Sequence, residues 1–212
     1  MRLTRPALAV AVLSALALTM TGADAAAPPK PVSWTDISGD GNGLNGQVLS
    51  GGPGDTGTAT PGSQAGMDVV KAELANTYVK VGKKVTCSGF TATMTLTGPP
   101  AANAHYRIQG VTETNPLFVI FEYDTADHSE DIRYGTSTTD DNTISFKKSV
   151  KVVGNKIVFT LTQTDFKAIG EKNGSRLETM DSSVSASVAG ALFLPVIDKA
   201  PAPDTSSFKF CG

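Results

Sequence analysis

The stretch that decides the fold is Phe90-Thr91-Ala92-Thr93-Met94-Thr95-Leu96-Thr97. Apolar side chains occupy every even position and threonines occupy every odd one, so the pattern repeats every two residues. Because successive side chains of a β-strand point to opposite faces, this pattern predicts a strand with one buried face and one face of hydroxyls. The same period recurs in further candidate strands at residues 69–81, 105–112, 117–123, 131–136, 143–153, 156–162, 184–193 and 207–211.

The segments between these strands carry turn signals. Gly154-Asn155 lies between two apolar segments, which is typical of a two-residue β-hairpin. One short helix is expected at residues 165–169, with Thr164 as its N-cap and Gly170 as its stop. We therefore predict an all-β fold: a two-sheet antiparallel β-sandwich, jelly-roll-like, with one short helix and a loop-rich N-terminal leader.

The first 25 residues have the features of a secretory signal peptide. Arg2 and Arg5 precede an apolar run at residues 7–20, and small residues end the segment at Ala25. The competing interpretation is a membrane anchor, but an apolar run of this length is short for crossing a bilayer. We expect cleavage near Ala25 and an extracellular protein.

The segment that follows the signal peptide is poor in large apolar residues. Residues 26–66 are dense in Gly, Pro, Asp, Ser and Thr and cannot build a core of their own, so we interpret them as a leader and linker. Within this leader, residues 34–47 are expected to dock on the β-sandwich domain, which we assign to residues 67–212.

Charge and hydropathy argue against nucleic-acid binding and against a second membrane-spanning segment. Cleavage removes Arg2, Arg5 and Asp24 from a total of 18 basic and 20 acidic residues, and the remaining net charge is −3. A chain without a basic surplus is not expected to bind nucleic acid. No later apolar run reaches spanning length, so we expect no membrane span after cleavage. We also expect a monomeric or weakly associating protein.

Two cysteines, Cys87 and Cys211, are present in the whole chain. An even number of cysteines in an exported protein favours a single structural disulfide. A pair of free, buried thiols is the alternative. A redox role is not indicated, because the chain has no Cys-x-x-Cys pair.

Residues 36–47 partly match a calcium-binding loop. Oxygen-bearing side chains occupy loop positions 1, 3, 5 and 7, as Asp36, Ser38, Asp40 and Asn42, and a glycine occupies position 6. Gln47 stands where a bidentate glutamate is usual, so the match is incomplete. Two interpretations remain open: a Ca²⁺ site of modest affinity, and an Asx- and Gly-rich turn that bonds its own backbone.

Catalytic signatures are weak. Residues 122–131 form the most acidic stretch of the chain, and His128 lies within it. Paired carboxylates beside a histidine suit acid–base or metal chemistry. The simpler interpretation is a solvated loop that joins two strands. His105 and His128 are the only histidines, and no nucleophile elbow or zinc-binding set is present, so we do not expect an enzyme.

Aromatic side chains offer a second kind of binding surface. Exposed rings stack on sugars, and we take Trp34, Tyr106 and Tyr134 as candidate ligand-binding residues, although most aromatic residues of a sandwich belong to its core. Beyond calcium, no cofactor is expected.

Two parts of the chain together resemble a known group of exported domains. These are the segment from Trp34 to Asp40 with Met67-Asp68-Val69-Val70, and the segment at residues 156–161 with the one at residues 196–201. The pattern is similar to that of DOMON and family 9 carbohydrate-binding-module sandwiches. This resemblance implies two packed sheets that bind sugars, haem or calcium, and it adds Asp68 to Asp36 and Asp40 as a candidate calcium ligand.

The sequence therefore predicts a secreted, non-enzymatic binding module. Its expected partner is an extracellular glycan, such as a cell-wall polymer, with a structural calcium in the N-terminal loop. The alternative is a ligand-free structural or protein-interaction module of the extracellular surface.

Overall fold

The computed structural model describes residues 30–36, 65–136, 142–145, 149–186 and 196–211. The predicted signal peptide and most of the leader lie outside these residues. A 3-10 turn at Ala65–Met67 precedes the second strand. The elements are β1 (Val32–Thr35), β2 (Val69–Val81), β3 (Lys84–Leu96), β4 (Ala104–Val111), β5 (Phe118–Asp124), β6 (Glu130–Gly135), β7 (Asn142–Ser145), β8 (Val150–Val153), β9 (Lys156–Thr162), α1 (Gln163–Ala168), β10 (Arg176–Ala186), β11 (Val196–Pro201) and β12 (Ser207–Lys209).

The described strands form two antiparallel sheets. Sheet A has the order β1-β2-β3-β9-β8. Sheet B has the order β11-β10-β4-β5-β6-β7, and β12 pairs with the start of β10. The predicted all-β, two-sheet sandwich with one short helix is confirmed.

The alternation at residues 90–97 places Phe90, Ala92, Met94 and Leu96 in the core between the sheets. The ring of Phe90 reaches across to sheet B, where its centroid lies 5.4 Å from that of Phe121. It also contacts Phe166 of α1, with ring centroids 5.5 Å apart. One continuous apolar core therefore joins both sheets and the helix.

Two predicted strands show the largest differences from the observed ones. The strand predicted at residues 143–153 is in fact two strands, β7 in sheet B and β8 in sheet A, and the chain crosses between the sheets there. Glu130 of β6 holds the start of β8, because its Oε2 accepts hydrogen bonds from Ser149 N at 2.5 Å and Val150 N at 3.1 Å. The strand predicted at 184–193 begins earlier, at Arg176.

The helix begins earlier than predicted. Its N-cap is Thr162 and not Thr164: Thr162 Oγ1 accepts from Asp165 N, and Asp165 Oδ2 accepts from Thr162 N at 2.7 Å. This reciprocal capping box satisfies two backbone donors that a helix start leaves without partners. Gly170 lies just beyond the helix with a φ of 83°, which a glycine adopts without strain.

The predicted disulfide is present. Cys87 of β3 and Cys211 form the bridge, with Cα atoms 5.6 Å apart and a sequence separation of 124. The bridge ties the C-terminal segment, which carries the buried Phe208 and Phe210, to sheet A.

Candidate functional site

Two of the three predicted ligand-binding rings belong to the core. Trp34 is 4% exposed, and its indole Nε1 donates to Ala200 O at 2.9 Å, which joins β1 to β11. Tyr106 is fully buried, and its hydroxyl donates to Gly66 O at 2.6 Å. Tyr134 is half-buried and packs against the same core. The rings of Trp34 and Tyr106 are therefore not available to stack on a sugar, which corrects their assignment as exposed binding residues.

The environment of Tyr106 also changes its acidity. The pKa of its hydroxyl is raised to about 12, because burial outweighs the opposite effect of the hydrogen bond that the hydroxyl accepts from Ala101 N at 2.7 Å. The pKa of neighbouring Tyr123 is raised as well, first by burial and then by the charges of Glu130 and Asp124. Both phenols stay protonated across the physiological range.

Two of the five candidate calcium ligands, Asp36 and Asp68, are near the start of β2. Asp36 N donates to Val70 O at 3.1 Å, and the buried Asp68 directly precedes β2. Thr97 Oγ1 donates to Asp68 Oδ2. The other three candidates, Ser38, Asp40 and Asn42, lie outside the described residues.

Sequence reasoning missed a third carboxylate at this corner. Asp198 of β11 is buried, and its Oδ2 accepts from Val69 N at 2.6 Å while its Oδ1 accepts from Lys199 N at 2.8 Å. Both oxygens of Asp198 are thus bonded to backbone donors. No group of three or more His, Cys, Asp or Glu side chains in the described part of the chain is arranged to hold a metal.

The acidic stretch at residues 122–131 divides into two strand ends and a tight turn. Asp124 Oδ1 accepts from Ala126 N at 2.7 Å, and Asp127 Oδ1 accepts from Ser129 N at 2.8 Å. Hydrogen bonds from the backbone and then from the side chain of Ser129 lower the pKa of Asp127. His128 adopts a φ of 59° in this turn, and its Nδ1 lies 3.2 Å from Tyr123 Oη. Among the described residues, His128 forms no ion pair with a carboxylate, and its side-chain contact is with Tyr123.

Glu122 and Asp131 face outward on sheet B, and Glu122 meets basic side chains there. Arg107 of β4 lies opposite Glu122 of β5, and Glu122 lies opposite Asp131 of β6. Residues i and i+2 of a strand point to the same face. The residues two positions before and after these three therefore lie on the same surface. We call this surface the polar face of sheet B; it comprises His105, Arg107, Gln109, Glu122, Asp124, Asp131, Arg133, Asp181 and Lys199.

Glu122 is the centre of the polar face. Its Oε2 accepts from Arg107 Nε at 2.7 Å and lies 3.9 Å from Arg133 Nη1. Its Oε1 lies 3.4 Å from His105 Nδ1, and His105 Nε2 lies 3.1 Å from Asp124 Oδ2. The side chains of His105, Glu122 and Asp124 are 13–15% exposed. Neighbouring side chains therefore hold each of these groups in one orientation.

A second group of polar contacts surrounds Asp181 of β10. Its Oδ2 accepts from Gln109 Nε2 at 3.0 Å and lies 3.1 Å from Lys199 Nζ. Its Oδ1 is buried and has no hydrogen-bond partner among the described residues, and the same is true of Asp131 Oδ1. A buried acceptor without a donor costs free energy.

A Ser-His-Asp row crosses this face, because Ser185 pairs with His105 and His105 pairs with Asp124. A nucleophilic serine needs a hydrogen bond to the histidine base. Ser185 is buried, its Oγ bonds to no other described group, and both nitrogens of His105 face carboxylates. The row does not have the geometry of a catalytic triad.

A groove of about 760 Å³ lies between the end of β4 and the start of β10. Its charged lining is mixed, with Glu113 and Glu178 beside Lys172 and Arg176. The buried Glu171 accepts from Thr112 Oγ1 and from Asn115 Nδ2, contacts that join the β4–β5 loop to the segment after α1. We assign this network to structural support.

Comparisons with protein-family models, with curated proteins and with solved structures find no match for this chain. The resemblance to DOMON and family 9 carbohydrate-binding-module sandwiches therefore stays a prediction. Among the helices that the structure describes, none is long and apolar enough to cross a membrane.

Proposed function

We propose that this chain is a secreted, non-enzymatic binding module that holds a polyhydroxylated, glycan-type ligand on the polar face of sheet B. The observation that carries this proposal is the ordered array of donors and acceptors around Glu122 and Asp181. Its hydrogen bonds include the one from Arg107 Nε to Glu122 Oε2 and the one from Gln109 Nε2 to Asp181 Oδ2.

The chemistry of these side chains suits sugar hydroxyls. Carboxylates accept hydrogen bonds from hydroxyl groups, and Arg, Lys and Gln side chains donate to hydroxyl and ring oxygens. Charged partners make the stronger hydrogen bonds. Because Arg107 and Gln109 are already held by Glu122 and Asp181, little side-chain freedom is lost when a ligand binds.

A structural calcium belongs to the same proposal. Asp36 and Asp68, which lie 32 positions apart in the sequence, are both near the start of β2, and Ser38, Asp40 and Asn42 would complete an oxygen-rich set. The ion would fasten the leader to the sandwich. It would act on stability and would not touch the glycan.

The experiment is a polysaccharide-binding assay on the secreted protein, with a glycan array and pull-down on insoluble cell-wall polymers. Asp181→Asn keeps the shape of the side chain and removes its charge, and Arg133→Ala removes a donor at the rim of the face. We expect each variant to weaken glycan binding at least about tenfold, which corresponds to about 1.4 kcal/mol.

The matched control is Lys151→Ala, which removes an exposed basic side chain from β8 of sheet A and should leave binding unchanged. Two results would overturn the proposal. One is a protein that binds no polysaccharide, which would favour the structural or protein-interaction alternative. The other is glycan binding that Asp181→Asn and Arg133→Ala leave intact.

A further inference from the structure

A two-stranded arm extends from sheet A beyond the rest of the sandwich. We define the arm as residues 77–88, the far halves of the β2–β3 hairpin. β1 pairs with β2 only at residues 71–74, and β9 pairs with β3 only from Gly89 onward. Within the described part of the protein, the strands of the arm therefore pair only with each other, from Tyr78–Cys87 to Val81–Lys84.

The base of the arm is fastened to the sandwich. A β-bulge shifts the register between Thr77 and Tyr78, and Gly89 packs so closely that an added Cβ would lie 2.0 Å from Leu161 O. Gln163 Nε2 donates to Cys87 O at 2.7 Å, and the disulfide of Cys87 adds a covalent tie. An isolated two-stranded ribbon is only marginally stable in water, so these contacts hold the arm in place.

The outer part of the arm is apolar and basic. Val79, Val81 and Val85 are 50%, 72% and 43% exposed. Lys80, Lys83 and Lys84 are exposed beside them, and residues 77–88 contain no Asp or Glu. The arm thus carries three positive charges on a chain whose overall charge is −2.

This composition distinguishes between possible occupants. A second copy of the arm would bring six lysines together, and like charges on facing strands oppose pairing. A purely polar polyanion would contact the lysines but would leave the valines exposed to water. An anionic lipid surface satisfies both halves of the pattern, because headgroup phosphates attract lysines while valines enter the interfacial region.

We propose that the arm is a reversible anchor to anionic membrane surfaces, with Val81 at the point of insertion and Lys80, Lys83 and Lys84 against the lipid phosphates. The long lysine side chains allow their ammonium groups to stay at the headgroup level while the tip enters. The arm extends sheet A, whereas the polar face is on the outer side of sheet B. Membrane binding and glycan binding are therefore separate properties.

The experiment is co-sedimentation of the secreted protein with phosphatidylcholine vesicles that contain or lack phosphatidylglycerol. We expect binding to the anionic vesicles only, with a steep decrease as NaCl is raised. Val81→Asp removes the apolar tip, and the double variant Lys83→Glu/Lys84→Glu reverses the charge. Each should reduce the partition coefficient at least about tenfold.

The β8–β9 hairpin provides a matched control, since Val153 is 64% exposed and Lys151 is exposed beside it. Val153→Asp and Lys151→Glu should leave vesicle binding unchanged, and thermal unfolding checks that every variant is folded. The proposal is overturned if the wild-type protein ignores anionic vesicles, or if the control variants lower binding as much as the arm variants do. It is also overturned if a soluble acidic polysaccharide binds instead, with a dependence on the lysines and none on Val81.

Discussion

Removal of the disulfide tests how the C-terminal segment is held. The bridge closes a loop with a sequence separation of 124 residues. Chain-entropy arguments assign such a loop about 5 kcal/mol of stabilisation, mostly through restriction of the unfolded state. Because small domains have a total stability of about 5–15 kcal/mol, we expect the double variant Cys87→Ala/Cys211→Ala to lose a third or more of its free energy of unfolding.

Noncovalent contacts should keep the native fold in this variant. Phe210 is buried with its ring centroid 4.0 Å from that of Phe166 and 5.3 Å from that of Phe90. Its backbone is also held, since Gly174 N donates to Phe210 O at 2.7 Å and Phe210 N donates to Ser175 O at 2.9 Å. The loss should therefore arise in the unfolded chain, which expands when the bridge is gone.

Urea unfolding measures both effects. We expect the free energy of unfolding to fall by about 5 kcal/mol and the m-value to rise, because the uncrosslinked chain exposes more surface. Wild-type protein unfolded under reducing conditions should behave like the double variant. A loss below about 1 kcal/mol with an unchanged m-value would refute the entropic account. Loss of the native near-ultraviolet circular dichroism would show that the bridge is needed for the fold itself.

Three further predictions concern single positions. Since the pKa of Tyr106 is raised from 10.0 to about 12, the unfolded chain releases this proton at a lower pH than the folded one does. Stability should therefore fall by about 2–3 kcal/mol between about pH 10 and about pH 12 in denaturant titrations, and Tyr106→Phe should flatten that slope. Thr179 has a φ of 47°, which strains a β-branched residue, so Thr179→Gly should stabilise the protein by about 1 kcal/mol in thermal unfolding while Thr179→Ala does not. Excess Ca²⁺ should raise the thermal midpoint by several degrees, and Asp36→Asn should remove the rise; a midpoint insensitive to both Ca²⁺ and EDTA would contradict the calcium site.

Local patterns predicted the elements whose cause is local. The strand at 156–162 has the predicted bounds, because Ile157, Phe159 and Leu161 alternate toward the core and Gly154 supplies the turn before them. The capping box is also a local signal, Thr162 followed three residues later by Asp165, but the predicted N-cap is Thr164 instead.

Long-range contacts account for the larger errors. Alternation shows which face of a strand is buried, but it does not show to which sheet the strand belongs. The alternation therefore does not predict that the chain passes from sheet B to sheet A between β7 and β8. The start of β8 is held by Glu130, about 20 residues earlier in the chain. Trp34 was placed at the surface for a similar reason, since the partner of its indole is Ala200 O, 166 positions away.

The polar face shows the same limit for function. In β4, His105, Arg107 and Gln109 alternate with Tyr106 and Ile108, so the sequence indicates that these three polar side chains share one face. It does not indicate that Arg107 meets Glu122, because that contact depends on the register between β4 and β5.

The register that aligns Arg107 with Glu122 is the same one that places Tyr106 beside Tyr123 in the core. A slip of one residue would bring Tyr106 to the surface and Arg107 into the core. Core packing and the polar face are thus two consequences of one strand pairing. A substitution in the β4–β5 loop that shifts this register should therefore lower stability and ligand binding together, whereas Asp181→Asn should affect binding far more than it affects the fold.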